Sequence, residues 1–358
     1  MSDVYRRLAE RLDSLPNGFP ATENGLELKI LRKIFSPEEA DMALKMRTTP
    51  ETAEAISERL CIPLDEMQAI LDNMVKKGQI GSGKIKGRQV YMLFPFCFGI
   101  YEFQLPRLDK EFALLMEEYI PTLVGTLGRH APAVMRVIPL NVQIDAEQAV
   151  YPYEDIYQVI QESKSIQVMD CMCRKKHALI GRQCEHSLEV CLALANSEGA
   201  FDKYPKGRSV TREEAIEIIK KADEEGLVHS TFNVQNGLLA VCNCCSCACL
   251  MLGGMMRHNA PHLMAKSNYV AAIEQGTCDA CGVCANDRCP VGAIVELEGS
   301  YVVDATRCLG CGICRPTCPT ESITLVRKPQ KERDQPPKNI LDWYTRRAER
   351  RGVKMTIR

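Results

Sequence analysis

The chain has 358 residues, of which 46% are hydrophobic, and a net charge of −1, which is enough apolar material for the cores of about two or three domains. The N-terminal stretch MSDVYRRLAERLDSLP is charged and has no apolar segment, so we expect no secretory signal peptide, and the most apolar run, residues 91–103, is too short and too interrupted to span a bilayer. We therefore expect a cytoplasmic protein, in which nineteen cysteines indicate bound metal rather than disulfides.

A region with a helical pattern begins near the N-terminus. Residues 36–39 (SPEE) have the sequence of a capping box with proline at the first helical position, and Thr49 with the following proline is expected to begin a second helix that runs to about Leu60. A third helix has apolar residues at i, i+3, i+4 and i+7, namely Met67, Ile70, Leu71 and Met74. Residues 78–95 then predict a short hairpin with a glycine-rich, basic tip. Three helices and a hairpin resemble a winged-helix domain over residues 26–95.

The resemblance to winged helices raises the question of DNA, which such domains often bind through their third helix. The solvent face of the predicted third helix carries Asp65, Glu66, Gln68, Asp72 and Asn73. Carboxylates at that position would repel phosphates, so we expect a protein-contact or structural role, with DNA binding as the alternative. Cys61 and Cys97 stand apart from the other cysteines and are expected to be buried thiols.

Residues 96–267 are predicted to form a cysteine-rich α+β domain that binds metal or clusters through two groups of cysteines. The first group is Cys171, Cys173, Cys184 and Cys191, and the second is Cys242, Cys244, Cys245, Cys247 and Cys249. Each group follows a short apolar run that predicts a β-strand, and Thr211 is expected to cap an amphipathic helix between the groups. Cysteines at strand ends would meet at one edge of a sheet and form a basin of ligands.

The density of the second group limits what it can be. Five cysteines within eight positions cannot all point into a hydrophobic core, so buried structural thiols do not explain them. One or two iron–sulfur clusters are favoured, because nine thiols suffice for two four-cysteine cubes, and zinc is the alternative. Adjacent Cys244 and Cys245 point in opposite directions if the chain is extended, so they could serve different clusters.

Several basic residues and histidines lie among these cysteines. Arg174, Lys175 and Lys176 directly follow the first cysteine pair, where they could raise a cluster's potential, dock an acidic redox partner or form a solvated basic loop. His177 and His186 are candidates to replace a sulfur ligand, although each is also consistent with a plain loop histidine.

The C-terminal third contains two related cysteine runs, CDACGVCANDRCP at residues 278–290 and CLGCGICRPTCP at residues 308–319. The second run has the spacing C-x2-C-x2-C-x3-C-P, and the first has one extra residue before its last cysteine. Each run is followed by a short apolar stretch, so the unit is an internal repeat. It resembles a bacterial-type two-cluster ferredoxin domain over residues 268–327. A pair of zinc knuckles is disfavoured, because zinc needs only two Cys-x-x-Cys pairs.

The ferredoxin resemblance implies two 4Fe–4S clusters that store and pass single electrons. One would be held by Cys278, Cys281, Cys284 and Cys318. The other would be held by Cys308, Cys311, Cys314 and Cys289, and the extra residue before Cys289 departs from the usual spacing. The chain contains neither a dinucleotide fingerprint nor a P-loop, so we assign no nucleotide to it.

The order of segments resembles multi-cluster iron–sulfur proteins of anaerobic bacteria, although Ala248 stands where that pattern often has a cysteine. The resemblance implies an α+β multidomain protein that transfers electrons as a subunit or redox partner of a larger oxidoreductase, with no catalytic residues of its own. Homo-oligomers remain possible. The alternatives are a redox-sensing winged-helix regulator and an enzyme whose middle cluster binds substrate.

The C-terminal segment, residues 328–358, is predicted to be a basic docking tail. Residues 327–358 carry eleven Lys and Arg against four Asp and Glu, while the rest of the chain is acidic. Asn339 is expected to cap a short helix with apolar residues on it. The tail could dock on an acidic surface, either a partner's or this protein's own, and a solvated extension is the alternative.

Overall fold

The computed structural model describes residues 3–140, 154–202, 206–258 and 260–354, and these form a mixed α+β molecule. The described α-helices are α1 (Val4–Asp13), α2 (Leu26–Ile34), α3 (Pro37–Lys45), α4 (Ala53–Leu60), α5 (Leu64–Lys76), α6 (Tyr101–Phe103), α7 (Lys110–Arg129), α8 (Ile156–Glu162), α9 (Met172–Leu179), α10 (Arg212–Glu224), α11 (Leu250–His258) and α12 (Ile340–Arg351). The described strands are β1 (Gly81–Ile85), β2 (Arg88–Met92), β3 (Met135–Val137), β4 (Ser165–Asp170), β5 (Glu189–Ala195), β6 (Gly207–Ser209), β7 (Val228–Phe232), β8 (Ala240–Cys244), β9 (Met264–Ala265), β10 (Tyr269–Ile273), β11 (Ile294–Leu297), β12 (Ser300–Val303) and β13 (Ile323–Arg327).

The N-terminal helices begin where the capping residues predict, with one exception. The Ser36 hydroxyl accepts a hydrogen bond from the Glu39 amide and the Glu39 carboxylate accepts one from the Ser36 amide, which completes the capping box of α3. Helix α4 begins at Ala53, later than the Thr49–Pro50 pair predicts. The residues before it are extended, because Glu51 exchanges two backbone hydrogen bonds with Tyr91 at the end of the hairpin.

The third predicted helix and the hairpin have the expected packing. Met67, Leu71 and Met74 of α5 are buried and Ile70 is half-buried, so the apolar stripe faces the core. Strands β1 and β2 are antiparallel and are joined at Lys86 and Gly87, which both have positive φ. Two consecutive left-handed residues define the tight turn that matches the twist of a β-hairpin.

The two isolated cysteines differ, and the expectation for one of them was wrong. Cys97 is buried as expected. Cys61 is exposed, because it follows the last turn of α4 in a left-handed conformation with φ of 55° and so turns away from the helix.

The middle of the chain forms a seven-stranded sheet with the strand order β6-β4-β5-β8-β7-β3-β9. All neighbouring strands are antiparallel except β3 and β9. Alternate residues such as Val168, Leu192 and Val241 pack on one face against α8 and α10. The opposite face packs towards α7, α11 and the N-terminal helices, with Phe232 and Cys244 in that larger core. Strand residues therefore divide between two different cores.

Two small antiparallel pairs, β10 with β13 and β11 with β12, follow the large sheet and carry the two cysteine runs between them. The chain then returns to the N-terminal unit through α12. Asn339 caps this helix by accepting a hydrogen bond from the Asp342 amide. Trp343 is fully buried and its indole N–H donates to the Ala133 carbonyl at 2.8 Å.

The basic tail thus packs on this protein's own body, and its contacts are mostly with backbone oxygens rather than carboxylates. The buried Arg347 guanidinium donates to the carbonyl oxygens of Pro16, Leu127, His130 and Pro132. Arg351 adds an ion pair with Asp13 at 3.1 Å. Residues 340–351 therefore belong to the folded core and are not a solvated extension.

Candidate metal centres

Six of the nine cysteines in the middle region form a closed ring of interacting thiols, here called the thiol ring. Each thiol interacts electrostatically with the next. In ring order the members are Cys171, Cys173, Cys249, Cys244, Cys242 and Cys191. Three of them are buried and three are half-buried. The structure therefore brings together members of both cysteine groups that lie up to 78 residues apart in the chain.

The alternation of β-strands explains how the thiol ring is assembled. Strands β4, β5 and β8 are neighbours, and β5 pairs with β8 so that Leu192 lies opposite Val241. These two residues face the α8 and α10 side, so the adjacent Cys191 and Cys242 face the other side. Cys244 lies two residues further along β8 on that same face. The ring therefore lies on a face near the strand ends, whereas the sequence predicted an edge of the sheet.

The remaining members come from the starts of two helices. Cys171 follows β4 and is the N-cap of α9, Cys173 lies in the first turn of α9, and Cys249 precedes α11. Backbone amides point at two of these sulfurs: Leu250 N lies 3.4 Å from Cys173 Sγ and Leu252 N lies 3.3 Å from Cys249 Sγ. Amide donors of this kind stabilise negative charge on sulfur ligands.

The thiols of the ring do not share one acidity. Hydrogen bonds from Cys173 and Cys191 hold the pKa of Cys171 well below its ordinary value, and the Arg174 charge acts in the same direction. The pKa of Cys242 is lowered likewise, first by Cys191 and then by Cys244. The ring therefore already contains thiols that favour the thiolate, which is the form that binds metal.

The segment after β2 packs beside the thiol ring, and sequence reasoning did not identify its role. Residues 96–100 form a π-type turn, and Glu102 accepts a hydrogen bond from the Gly99 amide at 2.8 Å and contacts the Cys97 thiol at 3.8 Å. Burial raises the pKa of Glu102 to about 7, and the negative charge of Cys242 also raises it. Burial lowers the pKa of the nearby Lys206 to about 6. The only feature of the sequence that could have indicated a role for this segment is a single Glu within an apolar stretch.

The basic residues after the first cysteine pair are not a solvated loop, and two of them are not available to an acidic partner. Arg174 and Lys176 are buried in α9. Arg174 donates to the carbonyl oxygens of Ser187 and Asn243, and Lys176 pairs with Glu117. Only Lys175 is substantially exposed, where it pairs with Asp170 at 3.3 Å. The buried Arg174 places a positive charge beside both groups of middle cysteines.

The other three middle cysteines form a separate group, here called the thiol triad. The Sγ atom of Cys184 lies 3.7 Å from that of Cys245 and 3.5 Å from that of Cys247. All three sulfurs lie within 4.8 Å of one another. Cys244 and Cys245 are therefore in different groups, Cys244 in the ring and Cys245 in the triad.

The two histidines that sequence reasoning raised as ligands lie in neither group within the described parts of the chain. His177 is buried in α9, where burial lowers its pKa. His186 lies in the loop after Cys184, and its Nδ1 atom is 3.8 Å from Glu225. Ala248 packs with Cys245, Ala222 and Leu227 in a small apolar cluster.

The eight C-terminal cysteines lie in two sets of four. Cys284 interacts electrostatically with Cys281, Cys278 and Cys318, and Cys314 interacts chiefly with Cys311, Cys308 and Cys289. A pocket is lined by all four thiols of the second set together with Pro290 and the backbone from Leu309 to Ile313. Cys284 is also a charged neighbour of Cys314, so the two sets adjoin.

The extra residue in the first run is accommodated by a π-helical turn. Residues Cys284–Arg288 form this turn, and the Cys289 amide donates to the Cys284 carbonyl five residues earlier at 3.0 Å. The wider turn absorbs one residue without displacing the next part of the chain. Cys289 therefore still reaches the second set. Arg288 holds the turn in place by donating to the carbonyl oxygens of Ile313, Asp223 and Glu224.

The second set has backbone amide donors beside two of its sulfurs. The Gly310 amide lies 3.4 Å from Cys308 Sγ and the Ala293 amide lies 3.1 Å from Cys289 Sγ. Gly310 and Gly312 have positive φ, and glycine is required at both positions because a Cβ atom would lie within 2.7 Å of the backbone oxygen of Tyr269 or Leu140. Four thiols with amide donors to the sulfurs fit the chemistry of a 4Fe–4S cluster.

A comparison with known protein families supports this interpretation. Residues 301–324 match a family described as 4Fe-4S binding domain, and this range includes Cys308, Cys311, Cys314 and Cys318. With the nineteen cysteines of the chain, the match indicates an iron–sulfur electron-transfer protein that has a 4Fe–4S binding region. Across the parts of the chain that the structure describes, we find no helix that is both long and apolar enough to cross a membrane.

Proposed function

We propose that this chain is a multi-cluster iron–sulfur electron-transfer protein, which serves as a subunit or redox partner of a larger oxidoreductase. The observation that carries the proposal is the convergence of the eight C-terminal cysteines into two adjoining sets of four. This is the grouping that the duplicated ferredoxin spacing requires, with the last cysteine of each run in the set of the other run.

In this proposal the ferredoxin domain spans residues 268–327. The first cluster is held by Cys278, Cys281, Cys284 and Cys318, and the second by Cys308, Cys311, Cys314 and Cys289. A bound 4Fe–4S cluster gains and loses a single electron. The protein residues set how readily this happens: the amides of Gly310 and Ala293 stabilise negative charge on the sulfurs, and Leu309 and Ile313 exclude water from the second set.

The thiol ring is proposed to hold a further iron–sulfur cluster in the middle domain, residues 96–267. Its support is the number and burial of the thiols, since six converging cysteines exceed the four that a zinc ion takes. Two separate cubes would need eight thiolates, so six favour a single cluster. The buried Arg174 beside the ring offsets part of the negative charge that such a cluster brings.

Residues 26–95 are proposed to be a winged-helix domain that contacts protein rather than DNA. Several side chains on the exposed surface of α5 and the hairpin already have partners within the molecule. Asp72 accepts a hydrogen bond from the Tyr91 hydroxyl at 2.8 Å, Gln68 donates to that same hydroxyl at 2.6 Å, and Lys84 pairs with Asp202 at 3.1 Å. Asp65 and Glu66 remain exposed at the start of α5, where they repel phosphate.

The C-terminal tail is proposed to hold the N-terminal helices and the large sheet together through its inward-facing residues. A partner protein that binds the tail would contact its outer face. Trp343 and Arg347 face inwards, and Leu341, Arg346 and Arg350 are exposed. The exposed residues give the outer face an apolar and basic character that suits an acidic protein surface.

Iron and acid-labile sulfide analysis of the anaerobically purified full chain tests the proposal. We expect more than the roughly eight irons that two ferredoxin cubes require, and about twelve if the ring holds one further cube. Reductive titration followed by electron paramagnetic resonance should show at least three one-electron centres. A total of eight irons would restrict clusters to the C-terminal domain. Turnover of an organic substrate by the isolated chain without any partner would contradict an electron-transfer role.

A further inference from the structure

The thiol triad differs from every other cysteine group in the described chain in the spacing of its sulfurs. It is the one group of three or more metal-ligating side chains, within the described ranges, whose ligand atoms all lie within 4.8 Å of one another. The eight ferredoxin cysteines, all of them described, form no such group, and neither do the six of the thiol ring. This difference bears on what each group can bind.

Sulfur spacing separates a single metal ion from a cubic cluster. Thiolates bound to one tetrahedral Zn²⁺ at about 2.3 Å lie about 3.8 Å from one another. In a cube each thiolate binds a different iron at a different corner, so the sulfurs lie further apart. The measured separations of 3.5 and 3.7 Å from Cys184 to Cys247 and Cys245 match the single ion.

We propose that Cys184, Cys245 and Cys247 bind one Zn²⁺ ion through three thiolates and leave its fourth coordination position open to solvent. Zinc is favoured over the other divalent ions because it is a borderline-soft ion that accepts thiolates in tetrahedral geometry and has no redox demand of its own. The site is distinct from the clusters of the proposed function and does not depend on them.

Three thiolates and one Zn²⁺ ion together carry one negative charge. Two arginines beside the triad suit a site with this charge. The buried Arg174 places its positive charge beside Cys245 and Cys184. Arg257 donates to the carbonyl oxygens of Ser246 and Cys247, which fixes the loop that supplies two of the three sulfurs.

The surroundings of the sulfurs explain the open position. Among the described residues no fourth Cys, His, Asp or Glu belongs to the group, and Cys247 is exposed. None of the described residues supplies the fourth ligand, so in this proposal that position is taken by water or an external molecule. A zinc ion with three protein ligands and an exchangeable fourth position is the arrangement used to bind or activate a ligand, whereas structural zinc sites are closed by four protein ligands.

Metal analysis of the full chain and of two serine variants tests the proposal. The protein is produced in zinc-supplemented medium and purified anaerobically. We expect about one zinc per chain in the unmodified protein, and a loss to below about one tenth in Cys184→Ser and Cys247→Ser with iron unchanged. Cys61→Ser removes an exposed cysteine outside every group and should change neither metal.

Zinc-edge X-ray absorption of the unmodified protein gives a second measurement that does not depend on how the variants fold. We expect three sulfur neighbours and one oxygen or nitrogen neighbour. Four sulfur neighbours or no stoichiometric zinc would overturn the proposal. A loss of about four irons in Cys184→Ser would also overturn it, because the triad would then belong to a cluster, while the proposed electron-transfer role would stand.

Discussion

The C-terminal cysteines and the middle cysteines build sites in opposite ways. In the ferredoxin-like region each set takes three thiols from one short run and the fourth from the other run, so the ligands are set by local spacing. In the middle region the thiol ring takes its members from two strands, the start of one helix and the residue before a second helix. The first arrangement can be read from a motif, and the second depends on which strands are neighbours in the sheet.

A consequence is that the two regions should respond differently to the loss of one cysteine. In the proposed function a ferredoxin set supplies four thiols to four irons, so each thiol would be required. The ring has six thiols, so the loss of one leaves five. The members of the ring are also not equivalent in acidity, since Cys171 and Cys242 have lowered pKa values and Cys173, Cys191, Cys244 and Cys249 have raised ones.

The largest expected effect is on iron content. Cys311→Ser should remove about four irons, because its set has no spare thiol, and should leave the middle cluster intact. The double variant Cys171→Ser/Cys242→Ser removes the two most acidic ring thiols and should remove the iron in excess of about eight. Iron, sulfide and visible absorption of anaerobically purified protein measure both, with Cys61→Ser as control. A loss of clearly more than about four irons in either variant would show that the two regions do not bind clusters independently.

The second-largest expected effect is on stability. It tests how much the stability of the sheet that carries the thiol ring depends on the C-terminal helix α12. Trp343 is fully buried and its ring stacks edge-on against Phe232 of β7 with centroids 4.9 Å apart. Trp343→Ala should lower the free energy of unfolding by about 3–5 kcal/mol, because it leaves a large cavity and removes one of the two hydrogen bonds that the Ala133 carbonyl accepts, the other coming from the Asn233 side chain.

The comparison variant on the same helix is Leu341→Ala. Leu341 is 54% exposed, so its replacement should lower the free energy of unfolding by less than about 1 kcal/mol. Urea unfolding of the anaerobic protein measures both. Similar losses for the two variants would contradict the interpretation that α12 is part of the core.

A smaller expected effect is the pH dependence of folding stability that arises from Glu102, in the segment beside the thiol ring. Burial raises its folded pKa to about 7 from an ordinary value of 4.5, so between these values the folded protein binds more protons than the unfolded chain. The stabilisation that protonated Glu102 gives the folded protein is therefore fully present below about pH 4.5 and is lost as the pH rises through 7. Over this range the free energy of unfolding should fall by about 2–4 kcal/mol.

Glu102→Gln should remove this dependence, so that the variant is more stable than the unmodified protein at pH 8 and matches it more closely at pH 5. Gln keeps an oxygen that can accept the Gly99 hydrogen bond. Glu349→Gln, an exposed position on α12, is the matched control. Thermal midpoints from pH 5 to 8 give the measurement, and parallel profiles for all three proteins would show that Glu102 does not titrate in this range.

Local physical chemistry made several features predictable from the amino-acid sequence. The capping box at residues 36–39, the apolar stripe of α5, the tight hairpin turn and the Asn339 cap each depend on residues within a few positions of one another. The duplicated cysteine runs belong to the same category, because one iron–sulfur cube spans only a few residues of chain. Even the extra residue before Cys289 is resolved locally, by a π-helical turn.

Tertiary structure alone decided how the nine middle cysteines divide. The sequence allowed two groups in chain order, and the alternation of β8 correctly suggested that Cys244 and Cys245 separate. It could not indicate that Cys191 joins Cys242, or that Cys184 joins Cys245 and Cys247, because strand order and loop position depend on contacts between residues far apart in the chain. The same holds for Arg174, Lys176 and Trp343, whose burial depends on distant elements. The sequence determined which residues can bind metal, and packing determined which of them share a site.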